Sequence, residues 1–229
     1  MLKAVNLSKS YNGKIALKDV SFEVSKGEIF CLLGQNGAGK TTTINIFLGF
    51  LKKDGGKAFV LDKEVGKDNT SNLTAYIPET VHLYENLSGI ENLNFFSQLA
   101  GFKYSTDELT SFLAKTGLQH NAINKRLSTY SKGMRQKVGI AVALAKNAEV
   151  IFMDEPTSGL DPKATAEFTK ICKELAKMGK VIFMATHDIF NAVELGTTIG
   201  IMKEGVLAQQ LKASEISAEQ LNQLYLETI

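Results

Sequence analysis

The chain has 229 residues, 44% of them hydrophobic, and its 26 basic and 24 acidic side chains leave a net charge of +2. It is long and apolar enough for a packed core, and its charge gives no general reason to bind nucleic acid. No apolar run approaches the roughly 20 residues of a membrane span, and the N-terminus lacks a signal-peptide pattern. We therefore expect a soluble, cytoplasmic protein. Cys31 and Cys172 lie in apolar stretches without metal-ligand spacing, which predicts buried thiols and no disulfide.

The first sixty residues predict two hairpins and a strand-loop-helix unit. Residues 2–8 and 16–24 alternate apolar and polar side chains around Asn12-Gly13, a typical hairpin turn. Residues 28–33 read as a buried strand, and residues 41–48 as a helix. A second hairpin is expected around Gly55-Gly56 to Asp62.

Helical spacing then replaces strand signals from about Ser88 to Asn147. Ser105 and Glu108 form a capping-box pattern at the start of one helix, and Gly117 is expected to end it. This stretch predicts a mainly helical subdomain at roughly 80–147.

Two short apolar runs, residues 150–153 and 181–184, read as buried parallel strands. The helix between them is expected to begin after Asp161, with Pro162 in its first turn, and to end at Gly179. A hairpin at Glu204-Gly205 and a short helix after Ser217 complete the prediction. The predicted fold class is α/β, with a core parallel sheet, an antiparallel β layer and the helical subdomain.

Residues 34–41 match the phosphate-binding pattern G-x-x-x-x-G-K-[ST] between a predicted strand and helix. Glycines let backbone N–H groups approach phosphate oxygens, and the helix N-terminus adds partial positive charge. Lys40 supplies a full charge, and the Thr41 hydroxyl suits Mg²⁺ between the β- and γ-phosphates. The segment therefore predicts a nucleoside triphosphate site. Its candidate residues are Gly34, Gln35, Asn36, Gly37, Ala38, Gly39, Lys40, Thr41 and Thr42.

Asp154 and Glu155 follow a predicted buried strand, at the sheet edge where parallel sheets bind ligands. In this position Asp154 can hold Mg²⁺, and Glu155 can orient or deprotonate the water that attacks the γ-phosphate. Read alone, the two acids have an alternative interpretation, in which both cap the following turn. The phosphate-binding segment favours the catalytic interpretation.

Ser131 and Gly133 precede a helix with apolar positions from Met134 to Ala145. Ser131 is an N-cap candidate, and the free N–H groups of such a helix start suit a phosphate. On local evidence alone, this is simply how a helix begins.

Together these segments resemble the nucleotide-binding domain of the ATP-binding cassette (ABC) family, P-loop NTPases, over nearly all of residues 1–229. The order and spacing carry the resemblance, which rests on residues 34–41, Tyr130 to Met134, Asp154-Glu155, Ser158 to Asp161, and His187. The resemblance implies that Ser131 and Gly133 of one subunit face the γ-phosphate of ATP bound by another subunit, identical or different. It also implies that ATP and Mg²⁺ are the cofactors.

The resemblance assigns three further residues. Tyr11 matches the aromatic that stacks on adenine, although a tyrosine also suits a strand end. His187 matches the switch histidine that contacts the γ-phosphate and the catalytic acid. Glu79 stands where the family usually has a glutamine that reaches Mg²⁺, and a carboxylate can also coordinate a hard cation.

The signature segment departs from the family's usual Leu-Ser-Gly-Gly-Gln, because residues 130–134 read Tyr-Ser-Lys-Gly-Met. This form, together with Tyr-Ile-Pro-Glu at residues 76–79, resembles bacterial ABC exporters of drugs, lipids or polysaccharides. We expect an ATPase subunit that dimerises on ATP and drives a separate permease from the inner face of the cell membrane.

Permease contact is expected near residues 79–100, by resemblance. The local sequence alone predicts that Phe95, Phe96 and Leu99 are ordinary core residues.

Two other functions stay open at this point. A soluble ABC protein without a permease usually carries two cassettes or a long coiled-coil insert, and a phosphate-loop kinase would leave the signature segment unexplained.

Overall fold

The computed structural model describes all residues 1–229 and contains two sheets and seven α-helices. The strands are β1 (Leu2–Tyr11), β2 (Lys14–Val24), β3 (Ile29–Gly34), β4 (Gly55–Val60), β5 (Lys63–Glu64), β6 (Thr74–Ile77), β7 (Val150–Asp154), β8 (Val181–Thr186), β9 (Thr198–Lys203) and β10 (Val206–Lys212). The helices are α1 (Lys40–Phe47), α2 (Gly89–Leu99), α3 (Thr106–Lys115), α4 (Lys132–Ala145), α5 (Pro162–Lys177), α6 (Ile189–Leu195) and α7 (Ala218–Thr228).

The antiparallel sheet has the strand order β2-β1-β4-β5. Strands β1 and β2 form the predicted hairpin, and Asn12 and Gly13 both have positive φ, 48° and 81°. A two-residue turn of this kind matches the twist of the paired strands. The second predicted hairpin is also present, with β4 paired to the short β5.

The larger sheet has the order β10-β9-β3-β8-β7-β6, and every pair in it is parallel except β10 with β9. Because β3, β7 and β8 are parallel neighbours, their carboxyl ends meet at one edge of the sheet. This edge carries the segments that follow the three strands: the phosphate-binding segment, Glu155 and His187.

Both faces of the parallel sheet are covered. Successive residues of β7 alternate between two cores, since Phe152 packs in the core shared with the antiparallel sheet and α1, whereas Ile151 and Met153 pack with α5 and α6. The short apolar runs of β7 and β8 are therefore buried on both sides, as their composition predicts.

The region between β6 and β7 contains α2, α3 and α4 and no strand, as the sequence predicts. Its helices pack around a separate apolar core that includes Leu93, Leu113 and Val138. The Ser105 capping box is present, with the Ser105 side chain accepting from the Glu108 N–H. No helix of the structure has the length and apolar character that crossing a bilayer requires.

Cys31 and Cys172 are both buried and free, so the predicted burial of the two thiols is confirmed. Burial raises the pKa of the Cys31 thiol to about 12. Burial also raises the pKa of the Cys172 thiol.

Candidate functional site

The phosphate-binding segment connects the end of β3 to the start of α1. Gly39 is the N-cap of α1 at φ 113°, and Gly37 also has a positive φ of 85°. A Cβ at Gly39 would lie 2.6 Å from the Ala16 carbonyl oxygen, whereas a Cβ at Gly37 would meet nothing within 4 Å. Glycine at position 39 thus permits close packing of the segment on β2, and glycine at position 37 leaves its outer face open.

Lys40 is held by the segment it belongs to. The side chain is only 6% exposed, and its Nζ donates to the Gly34 carbonyl oxygen at 2.6 Å and the Gln35 carbonyl oxygen at 3.3 Å. The same Nζ lies 3.6 Å from Oε1 of Glu155. The ammonium group is therefore fixed between the phosphate-binding segment and the end of β7.

Thr41 and Asp154 meet across the sheet edge, with the Thr41 hydroxyl donating to Oδ2 of Asp154 at 2.8 Å. Burial raises the pKa of the Asp154 carboxyl, partly offset by this hydrogen bond, and the neighbouring Glu155 charge raises it further. A partly buried carboxylate beside a hydroxyl is a donor set that suits a hard divalent cation. These two residues fit Mg²⁺.

Glu155 adopts a left-handed backbone conformation with φ 46°, and its N–H donates to the Ala185 carbonyl oxygen of β8 at 2.9 Å. Its Oε2 lies 2.8 Å from Nδ1 of His187 and 3.2 Å from the His187 backbone nitrogen. Its Oε1 is buried without a hydrogen-bond partner. A carboxylate held through one oxygen, with the other in no hydrogen bond and 3.6 Å from the Lys40 ammonium, suits a group that binds or deprotonates a water.

These side chains surround a cavity of about 130 Å³ without a hydrophobic residue in its lining. The lining residues are Gln35, Asn36, Gly37, Gly39, Lys40, Thr41, Thr42, Asp154 and Glu155. The structure thus brings most of the predicted nucleotide residues together. Gly34 accepts from Lys40 through its carbonyl oxygen, and Ala38 turns its methyl group into the core.

Ser131 and Gly133 lie elsewhere in the chain. Ser131 is the N-cap of α4, and its hydroxyl accepts from the Met134 N–H at 3.3 Å. Both residues line a separate cavity of about 210 Å³ together with Leu160 and Asp161. Within one chain, therefore, neither residue lines the cavity of the phosphate-binding segment.

Tyr11 lies at the end of β1, opposite Lys14 in the hairpin, and is 46% exposed. Glu79 follows β6, and its Oε1 accepts from the Ser158 hydroxyl at 2.8 Å and lies 3.7 Å from Nζ of Lys132. Neither Tyr11 nor Glu79 lines the cavity of the phosphate-binding segment.

Sequence reasoning did not identify Gln136, which is 1% exposed on α4. Its Nε2 lies within hydrogen-bond distance of three carbonyl oxygens, those of Pro78 (3.3 Å), Glu79 (3.2 Å) and Pro156 (3.3 Å). The sequence signal that could have identified it is its position as a polar residue between Met134 and Val138, two apolar residues that face inward on α4. Gln136 links α4 to the loops that follow β6 and β7.

The fold and the phosphate-binding segment define a P-loop ATPase domain. The ABC transporter family model matches residues 17–158, which is more than half of the chain, and the chain belongs to this family as an ABC ATPase domain.

Two curated relatives illustrate the kinds of protein that the chain is similar to. It is 33% identical over 225 residues to the lantibiotic transport ATP-binding protein SrtF of Streptococcus pyogenes, covering 97% of this chain and 96% of that protein. It is 38% identical over 193 residues to a fluoroquinolones export ATP-binding protein of Mycobacterium tuberculosis, covering 83% of this chain and 63% of that protein. The chain spans 55%, 67% and 62% of the length of three further relatives.

Two solved structures have the same fold. One is cbiO1 from Clostridium perfringens, described as part of the ABC transporter complex cbiONQ, with a TM-score of 0.85 and 28% identity over 98% of this chain and 94% of that one. The other is a dimeric post-hydrolysis state of the ATP-binding cassette MJ0796 bound to ADP and Pi. It has a TM-score of 0.81 and 27% identity over 93% of this chain and 99% of that one.

Proposed function

We propose that residues 1–229 form one ABC ATPase domain that hydrolyses ATP and drives an exporter through a separate permease. The observation that carries the proposal is the convergence of Lys40, the Thr41–Asp154 pair and the Glu155–His187 pair at one edge of the parallel sheet. Phosphoryl transfer requires phosphate binding, charge neutralisation and activation of a water. Residues suited to each of these tasks thus lie within one small region.

Each residue type suits one of these tasks. The N–H groups of residues 35–41 and the Lys40 ammonium bind the phosphates, and Thr41 and Asp154 hold Mg²⁺, which when bound neutralises charge on the β- and γ-phosphates. Glu155 orients or deprotonates the attacking water. His187 fixes the Glu155 carboxylate through the 2.8 Å contact, and its ring is exposed. By family resemblance, we expect this ring to contact the γ-phosphate. Tyr11 stacks on adenine.

The separation of Ser131 and Gly133 from the phosphate-binding segment supports a shared site. Ser131 is exposed at the N-terminus of α4, where N–H groups and the helix dipole suit an anion. In a dimer these residues complete the site of a second copy or of a similar subunit. The dimeric state of MJ0796 with ADP and Pi supports this arrangement by likeness.

An exposed aromatic cluster supports the permease contact. Tyr84, Phe95 and Phe96 pack edge-to-face or stacked, with centroids 5.0–6.1 Å apart, and Tyr84 and Phe95 are 49% and 41% exposed. Leu99 on the same helix is 74% exposed, so Phe95 and Leu99 are not ordinary core residues. Exposed apolar clusters of this kind mark protein interaction sites. We place the permease here, at the inner membrane face, and the name of the fluoroquinolones export relative favours export.

Replacing Glu155 tests the proposal. Glu155→Gln should lower the rate of phosphate release by about 10²–10⁴-fold, the usual contribution of a general base. ATP binding should persist, and ATP should hold the variant as a dimer. Phosphate release is measured without an added acceptor, because a kinase would need one.

Glu194→Gln is the matched control, since Glu194 lies on the surface of α6 with its side chain 65% exposed. Its activity should equal that of the wild type. Undiminished hydrolysis by Glu155→Gln would exclude Glu155 from the catalytic role.

A further inference from the structure

Two oppositely charged residues from separate segments contact each other. Lys132 lies in the segment of residues 130–134 and Glu79 lies in the loop after β6, and Nζ of Lys132 lies 3.7 Å from Oε1 of Glu79. One ion pair thus joins the start of α4 to the loop after β6.

The same carboxylate oxygen of Glu79 accepts a 2.8 Å hydrogen bond from the Ser158 hydroxyl. Ser158 belongs to the turn that begins at the catalytic acid, since its N–H donates to the Glu155 carbonyl oxygen at 3.2 Å. A Cβ at Gly159 would lie 3.8 Å from Nζ of Lys132, so the lysine also faces this turn. Glu79 therefore connects the start of α4 to the loop of residues 155–161.

Gln136 makes a second connection beneath the ion pair. It lies one helical turn beyond Lys132 on the same face of α4, and it binds the carbonyl oxygens of Pro78, Glu79 and Pro156. Gln136 is buried, whereas the side chains of Glu79 and Lys132 are 55% and 32% exposed. The buried amide fixes the backbones, and the ion pair is the part that water and salt can weaken.

We propose that Glu79 is a positioning residue, which holds the start of α4 against the loop of residues 155–161 through Lys132 and Ser158. The role rests on the proposed function, because it links the segment of residues 130–134 to the loop that carries Glu155. In this role Glu79 acts through its two partners, and Mg²⁺ binding depends on Thr41 and Asp154.

A double-mutant cycle on the full chain tests the role, with Glu79→Gln, Lys132→Met and the double variant. Each single variant should lower kcat about 2- to 5-fold, which corresponds to the upper range of a partly exposed ion pair. The double variant should be no slower than the slower single variant. The exchanged pair, Glu79→Lys with Lys132→Glu, should recover kcat to within about twofold of the wild type, because the ion pair is restored.

The half-saturating Mg²⁺ concentration is the second readout. It should change by less than about twofold in Glu79→Gln, because the Glu79 charge is the weakest of the influences on the Asp154 carboxylate. Thermal unfolding of each nucleotide-free variant shows whether the fold is intact.

Glu85 and Arg135 provide the control cycle. Their ion pair, at 2.9 Å, also joins α4 to the loop after β6, and the side chains are 62% and 23% exposed. The Ser158 hydroxyl bonds Glu79 and not this pair, so Glu85→Gln and Arg135→Met should leave the kcat of the isolated chain unchanged.

Additive effects of Glu79→Gln and Lys132→Met on kcat would overturn the positioning role while leaving the proposed function standing. A several-fold rise in the half-saturating Mg²⁺ concentration of Glu79→Gln, without a change in kcat for Lys132→Met, would overturn the positioning role. That result would identify Glu79 as a metal ligand instead. A wild-type chain without ATP hydrolysis would overturn both the positioning role and the proposed function.

Discussion

Two glycines of the phosphate-binding segment should respond differently to the same substitution. Gly39 and Gly37 both have positive φ, so alanine at either position is disfavoured by about 1–2 kcal/mol on backbone grounds. At Gly39 the new Cβ would also lie 2.6 Å from the Ala16 carbonyl oxygen and 2.8 Å from Cδ2 of Leu17. The carbonyl is part of β2 and cannot rotate away, so overpacking adds about 1–3 kcal/mol.

Gly39→Ala should therefore lower the free energy of unfolding by about 2–5 kcal/mol, and Gly37→Ala by about 1–2 kcal/mol, because a Cβ at Gly37 meets nothing within 4 Å. For a chain of this size, each kcal/mol lowers Tm by about 2–4 °C. Urea unfolding and thermal scans of the nucleotide-free variants measure the difference.

ATP binding should follow the same order, since Gly39 is the N-cap of the helix that begins with Lys40. Equal destabilisation by the two substitutions would show that the contact with β2 does not restrict the segment. A larger loss in Gly37→Ala would refute the reasoning altogether.

Three further predictions concern the rest of the fold. The native protein at pH 8 should react with no thiol reagent at Cys31 or Cys172, because both are buried and the pKa of Cys31 is raised to about 12, whereas the denatured chain should label two thiols. Ser105→Ala should cost about 1 kcal/mol in urea unfolding, since it removes the N-cap of α3. Phe183→Ala should lower stability by about 3–5 kcal/mol, whereas Phe190→Ala, at a position 70% exposed, should change it by less than about 0.5 kcal/mol. A large loss from Phe190→Ala would show that its ring is packed.

The elements that sequence alone predicts are those whose signals are local. The apolar runs of β7 and β8 indicate strands buried on both faces, and the cap at Asp161 and proline at position 162 mark the start of α5. Strand β6 was not predicted, because Thr74–Ile77 is only four residues long and is stabilised by pairing with the distant β7. Short strands of this kind depend on partners that no local window contains.

The same distinction applies to the site. The phosphate-binding segment is contiguous, so its residues can be read directly from the chain. The contact between Glu155 and His187 requires β7 and β8 to be neighbours. The sequence indicates two buried parallel strands, but it does not give the distance between the side chains that follow them. The contact of Glu79 with Lys132 and the carbonyl contacts of Gln136 depend on how α4 packs against two loops, and no periodicity or motif encodes that packing.

The left-handed backbone at Glu155 has a practical consequence for inactive variants. Its φ of 46° occurs where its N–H donates to the Ala185 carbonyl oxygen, and any residue other than glycine that keeps this hydrogen-bonded geometry adopts the same unfavourable φ. A glutamine keeps the shape and the backbone demand of the natural side chain, so its effect reports the loss of the carboxylate charge that faces Lys40 and His187. A glycine would relieve the backbone constraint. We expect the glycine variant to lack ATPase activity and to have a higher free energy of unfolding. Inactive variants with glutamine and with glycine at position 155 therefore differ in stability, and one cannot replace the other in an experiment.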